Sequence, residues 1–171
     1  MAMVPVVTSK HRLADDSPTL KRAIRVARRL LPADGDPETF LGNLSKERSR
    51  PIQLIEMELG GPSGMFIGLP TMDVVLVDVH SSPSRRLVSI AHEAAHMLLG
   101  HDRDATHVEE TLTTLLPDLS PTLIQQALRR QHHDGHQESD AEQLATIISS
   151  ELSVRAALYD LSGHPVSRRL R

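Results

Sequence analysis

Five residues, His92-Glu93-Ala94-Ala95-His96, constrain this chain more than any other part of it. They lie in a stretch from about Arg85 to Leu99 whose other members include Ile90, Ala91, Leu98 and Leu99. Ser81 to Ser84 before it and Gly100 after it supply helix start and stop signals. A helix that is apolar on most sides has to be buried. Two neutral imidazoles and a carboxylate buried there are costly unless something satisfies them. Positions four apart share one face of a helix. His92 and His96 can therefore hold one zinc ion at about 2.0–2.1 Å. Glu93 is rotated roughly 100° from His92 and is placed to reach a water at the metal rather than the metal itself, the general-base position of a zinc hydrolase. With ten histidines and ten glutamates in 171 residues, such a pattern arises by chance roughly 0.03 times per chain of this composition. The plain alternative is a helix whose two histidines only hydrogen-bond.

Composition narrows the choice further. The chain is long enough for one domain of ordinary size. With 39% apolar and 24% charged residues, it is neither disordered nor a fibrous repeat. Its net charge of -3 and pI near 6.3 argue against a domain devoted to a polyphosphate. Three aromatics, Phe40, Phe66 and Tyr159, are too few for base-stacking platforms. No apolar run approaches the ~18 residues needed to span a bilayer, and no secretory signal opens the chain. A cytoplasmic protein without direct nucleic-acid or membrane contact is the expectation. The absence of cysteine excludes disulfides, thiolate nucleophiles and Cys-type zinc sites. Seven of the ten histidines fall between His92 and His136.

Along the chain, Ser17-Pro18 starts a helix that stops at Pro32, with Lys21, Arg22, Arg25, Arg28 and Arg29 on its polar side. Such a run usually means a solvated face. A short second helix follows Asp36-Pro37 to about Lys46. Residues 51–59, 65–69 and 73–80 read as three strands of a small meander, antiparallel or mixed. The strand 73–80 either pairs with an extended peptide or lies inside the sheet. After the metal helix come a loop over 101–108, helical segments over 109–116 and 121–130, a loop over 131–137, and a last long helix over 138–160. The expected fold class is α+β, a three-stranded sheet packed against helices in one domain over 1–171. Residues 1–50 form a helical segment, 51–160 the core and 161–171 a basic tail.

A catalytic zinc site takes three protein ligands and a water. A metzincin would carry a histidine six residues beyond His96 and a glycine three beyond. Asp102 and Leu99 stand there, so an acidic residue on a later helix is the remaining route. Glu138, Ala141, Ala145 and Ile148 share one helical face, and the two alanines let that helix come close. Glu138 is preferred over Asp140 and Glu142 as the third ligand. An ordinary acidic first turn is the bland reading of the same residues. His101, His107, His132, His133, His136 and Tyr159 are eligible to stabilise an oxyanion.

The stretches HEAAHMLLGH, 92–101, and ESDAEQLA, 138–145, resemble those of the ImmA/IrrE family of small zinc metallopeptidases, over roughly residues 51–152. Leu144 stands where family members usually carry Phe. The resemblance implies a zincin-like fold of the gluzincin type. It makes His92, His96 and Glu138 the zinc ligands and Glu93 the catalytic acid/base. It further implies a protein substrate, a helix-turn-helix repressor, and a role in stress or mobile-element regulation. The alternatives are a catalytically silent zinc-binding module that holds a transcription regulator, or a toxin–antitoxin component.

Overall fold

The structure is a computed structural model and describes residues 17–68, 71–101 and 135–162. Three helices begin alike. Helices α1 (Pro18–Leu30), α2 (Pro37–Arg48) and α3 (Pro83–Leu99) each carry proline in the first turn behind a capping side chain. Ser17 Oγ accepts the Leu20 N–H at 3.1 Å, Asp36 Oδ2 the Thr39 N–H at 2.8 Å, and Ser82 Oγ the Arg85 N–H at 3.3 Å. Each satisfies one orphan donor where proline has none to offer. Helix α4 (Gly135–Leu161) is the longest. It begins three residues before the expected 138, so Gly135–Gln137 are helical rather than loop. The helical segments expected over 109–116 and 121–130, the loop over 102–108 and the tail from 163 onward lie outside the described residues.

The three strands, β1 (Ile52–Met57), β2 (Gly64–Gly68) and β3 (Asp73–Asp78), do not form a meander. Their order is β1-β3-β2, with β1 parallel and β2 antiparallel to β3. The reason lies in β3. Val74, Val75, Leu76 and Val77 are all buried, and a strand covered on both faces reads as a continuous apolar run. Such a strand belongs in the middle. β1, in which no residue is fully buried, takes an edge. With both sides of β3 occupied, the sequence option of a peptide pairing with β3 is ruled out. The link from β1 to β2 crosses the end of β3, where Asp78 clamps it. The Asp78 carboxylate accepts N–H bonds from His80 at 2.7 Å and Leu59 at 3.2 Å, and the Asp78 N–H donates to Ser63 O at 3.1 Å. The His80 N–H is the main reason its pKa lies below the ordinary value.

One face of the sheet, with Phe66, Val75 and Val77, packs into the helical core. That core includes Leu20, Phe40 and Leu44 from α1 and α2, Ile90, Ala94 and Ala95 from α3, and Leu144, Ile148 and Leu152 from α4. A second brace is polar. Asp73, 1% exposed, accepts from Arg50 Nε at 2.6 Å and Arg48 Nη2 at 3.0 Å. Arg48 also donates to the Met97 carbonyl at 2.9 Å, setting a cation on the C-terminal end of α3. The basic side of α1 meets acidic neighbours, with Arg28 paired to Glu151 and Arg29 to Glu47. This agrees with a solvated face. No helix among the described residues is long and apolar enough to cross a membrane.

Gly35, between α1 and α2, has φ +67°, and a Cβ there would lie 2.2 Å from the Leu152 carbonyl oxygen and 2.4 Å from the Ala156 nitrogen. The chain turns directly on the backbone of α4. Gly42, inside α2, has open space around its Cβ position. Gly35→Ala is expected to lower unfolding stability by about 2 kcal/mol or more. Gly42→Ala is expected to raise it by about 0.5–1 kcal/mol. Urea titration of both variants checks the contrast.

Candidate metal centre

Helix α3 is largely buried from Ser89 to Leu99. Ala91, Ala94 and Ala95 are small, as are Ala141 and Ala145 on α4, and α3 and α4 share the largest contact between any two described elements. Close packing of these helices brings the first turn of α4 over the histidine face of α3. His92 Nε2 and His96 Nε2 lie 3.0 Å apart. Glu138 Oε1 is 3.5 Å from His96 Nε2, and Glu138 Oε2 is 3.7 Å from His92 Nε2. Ligands held at about 2.0–2.1 Å around a tetrahedral ion stand ~3.3 Å from one another. The three separations bracket that value, and the set of two imidazoles and one carboxylate suits a borderline divalent metal. Among the described residues this is the one group of histidine and acidic side chains arranged to hold an ion.

The competing carboxylates are elsewhere. Asp140 accepts a 3.4 Å hydrogen bond from Ser17 Oγ, at the N-terminal end of α1 where a negative charge is favoured. Glu142 is exposed. Asp140 is rotated roughly 200° from Glu138. Glu142, four residues on, shares roughly its face but is not among the side chains grouped with the histidines.

Glu93 is buried beside this trio but is not part of it. Its carboxylate accepts the backbone N–H of Phe66 in β2. Burial first, and the Glu138 charge second, raise its pKa to about 8, against the opposing pull of that N–H. β2 comes close enough for this because Gly64 has no side chain. A Cβ there would lie 2.9 Å from Ser89 Cβ and 3.4 Å from Glu93 Oε1. Ser89 and Ser63 hydroxyls, 2.9 Å apart, tie the same corner.

Of the residues eligible to stabilise an oxyanion, Tyr159 stands about 30 Å along α4 from Glu138 at the rise of an α-helix, too far to take part. His101 lies against His96 Nδ1, at 3.1 Å, rather than on the metal side. His107, His132 and His133, and the side chain of His136, lie outside the described residues. Sequence reasoning missed the Phe66 and Gly64 contributions. The glycines at 60, 61 and 64 signalled only a turn, and a backbone N–H carries no side-chain signature.

Two imidazoles, a facing carboxylate and a second, buried carboxylate are the groups that a metal-dependent hydrolase would require. Residues 48–118 match the family model of Peptidase_M78, described as the IrrE N-terminal-like domain. This is the ImmA/IrrE family that the sequence motifs resemble, and the α+β arrangement fits its zincin-like fold. The match takes in β1 to β3 and α3 but ends before α4, which brings Glu138. No curated protein matches the chain.

The raised pKa of Glu93 has a consequence for the metal-free protein. Folding retains a proton that the unfolded chain releases near 4.5, so this contribution is fully present below that pH and is lost as pH rises through about 8. The urea midpoint of the metal-free protein is expected to fall over that window by more than that of Glu93→Gln. Parallel pH profiles for the two proteins would contradict the assignment.

Proposed function

We propose that the chain is a zinc-dependent endopeptidase that hydrolyses a peptide bond in a protein substrate. The observation that carries the reading is the placement of Glu93, which is buried, bonded to β2 and adjacent to three side chains spaced for one metal ion. His92, His96 and Glu138 hold the zinc. Bound there, zinc would supply Lewis-acid chemistry, lowering the pKa of a water molecule and polarising the scissile carbonyl. Glu93 is placed to take a proton from the attacking water as the water oxygen bonds to the carbonyl carbon, and to deliver that proton to the amine nitrogen as the C–N bond breaks. The Phe66 N–H holds its carboxylate in place between the two transfers.

The resemblance to the ImmA/IrrE family directs the search for the substrate to helix-turn-helix repressors, and the setting to stress or mobile-element regulation in the cytoplasm. A helix-turn-helix regulator encoded beside this gene, incubated with the zinc-loaded protein, is expected to yield discrete fragments. Glu93→Gln is expected to keep one zinc per chain while cleavage falls by at least about 10²–10⁴-fold. Full cleavage by Glu93→Gln would overturn the mechanism. A regulator that binds without being cut by the wild type would favour the silent module.

A further inference from the structure

We propose that His101 is a positioning residue for this metal site. It accepts the Nδ1–H of His96 and thereby fixes the tautomer and ring rotation in which His96 presents Nε2 to the ion. The inference rests on the metal-binding reading above. His96 has two ring nitrogens, and the structure engages both. Nε2 faces His92 Nε2 at 3.0 Å and Glu138 Oε1 at 3.5 Å. Nδ1 lies 3.1 Å from His101 Nδ1. The rings of His96 and His101 meet edge to face, with centroids 5.3 Å apart and planes at 62°. An imidazole that donates its Nε2 lone pair to a metal carries its hydrogen on Nδ1. His101 must then offer a bare Nδ1 and carry its own hydrogen on Nε2.

The backbone brings the two rings together by a definite device. Gly100 ends α3 in the left-handed region, φ +78°, and its N–H bonds to the carbonyls of His96 and Met97. A helix that ends this way folds the residue after the glycine back onto the residue four before it. In most proteins that contact is between apolar side chains. Here it joins His101 to His96. Arg48, donating to the Met97 carbonyl at 2.9 Å, braces the same turn. Partners that orient a ligating histidine commonly change metal affinity by 10–100-fold when removed. His96 is the more buried of the two histidines, so its ring has little solvent to replace a lost partner.

The test compares wild type with His101→Ala, His101→Phe and His101→Asn in competition for zinc against a chromophoric chelator. The visible spectrum of the cobalt-substituted proteins and the melting temperature of the metal-free forms are recorded alongside. Alanine and phenylalanine are expected to weaken zinc binding about 10–100-fold and to shift the cobalt bands. Asparagine, whose Oδ1 falls near the position of Nδ1, is expected to recover most of the affinity, and the metal-free melting temperatures to stay close together. If phenylalanine prevents folding, the asparagine–alanine difference decides by the same criterion. Zinc affinity within twofold of wild type in the alanine variant, or asparagine no better than alanine, would overturn the role of His101 alone. A wild type that takes up no zinc would overturn the metal site and this inference together.

Discussion

The structure depends on one constraint, that the buried half of helix α3 carries ionisable side chains which have to be satisfied where they stand. Glu93 and His96 are buried in the core and His92 is half-buried beside them. Each receives its partner from a different element. Glu138 comes from α4, the Phe66 N–H from β2, and His101 from the turn that ends α3 itself. The close contacts elsewhere serve these three deliveries. The alanines between α3 and α4 set the helix spacing, Gly64 lets β2 ride over Glu93, and Gly100 turns the chain back beneath His96.

The frame that keeps α3 in place is partly polar too. Asp73 opens the central strand and is buried between two guanidinium groups, one of which continues to the last turn of α3. Removing one partner from such a buried set leaves a charge uncompensated, which typically costs ~3–5 kcal/mol. The link between sheet and helix is thus specified by a few directional contacts rather than by apolar burial alone. The loop over β3 is held the same way, through Asp78.

What could be read from the sequence, and what could not, follows from the range of the signals. Caps, proline starts and the stop at Gly100 are local, so α1, α2 and α3 fall within a few residues of their expected bounds. The histidine spacing and the small-residue face of α4 are periodic. They favour Glu138 and set Asp140 on another side of the helix, but Glu142, four residues on, shares that face and periodicity alone does not separate it. Strand order is neither local nor periodic. The sequence order suggested a meander, and the burial of β3 on both faces decided against it. The role of His101 depends on a chain reversal, so a histidine next to a stop glycine read as one of several equal candidates. The distance along α4 removes Tyr159 in the same way, through geometry that no local pattern carries.

The central claim is that two histidines of α3 and a carboxylate of α4 share one metal ion. X-ray absorption at the zinc edge of the loaded protein tests it most directly. The account predicts a low-coordinate shell at about 2.0–2.1 Å, with outer-shell scattering from two imidazole rings. In Glu138→Ala the imidazole signal should persist while the oxygen contribution changes. A six-coordinate shell of oxygens without imidazole scattering, or a spectrum unaltered by Glu138→Ala, would contradict it.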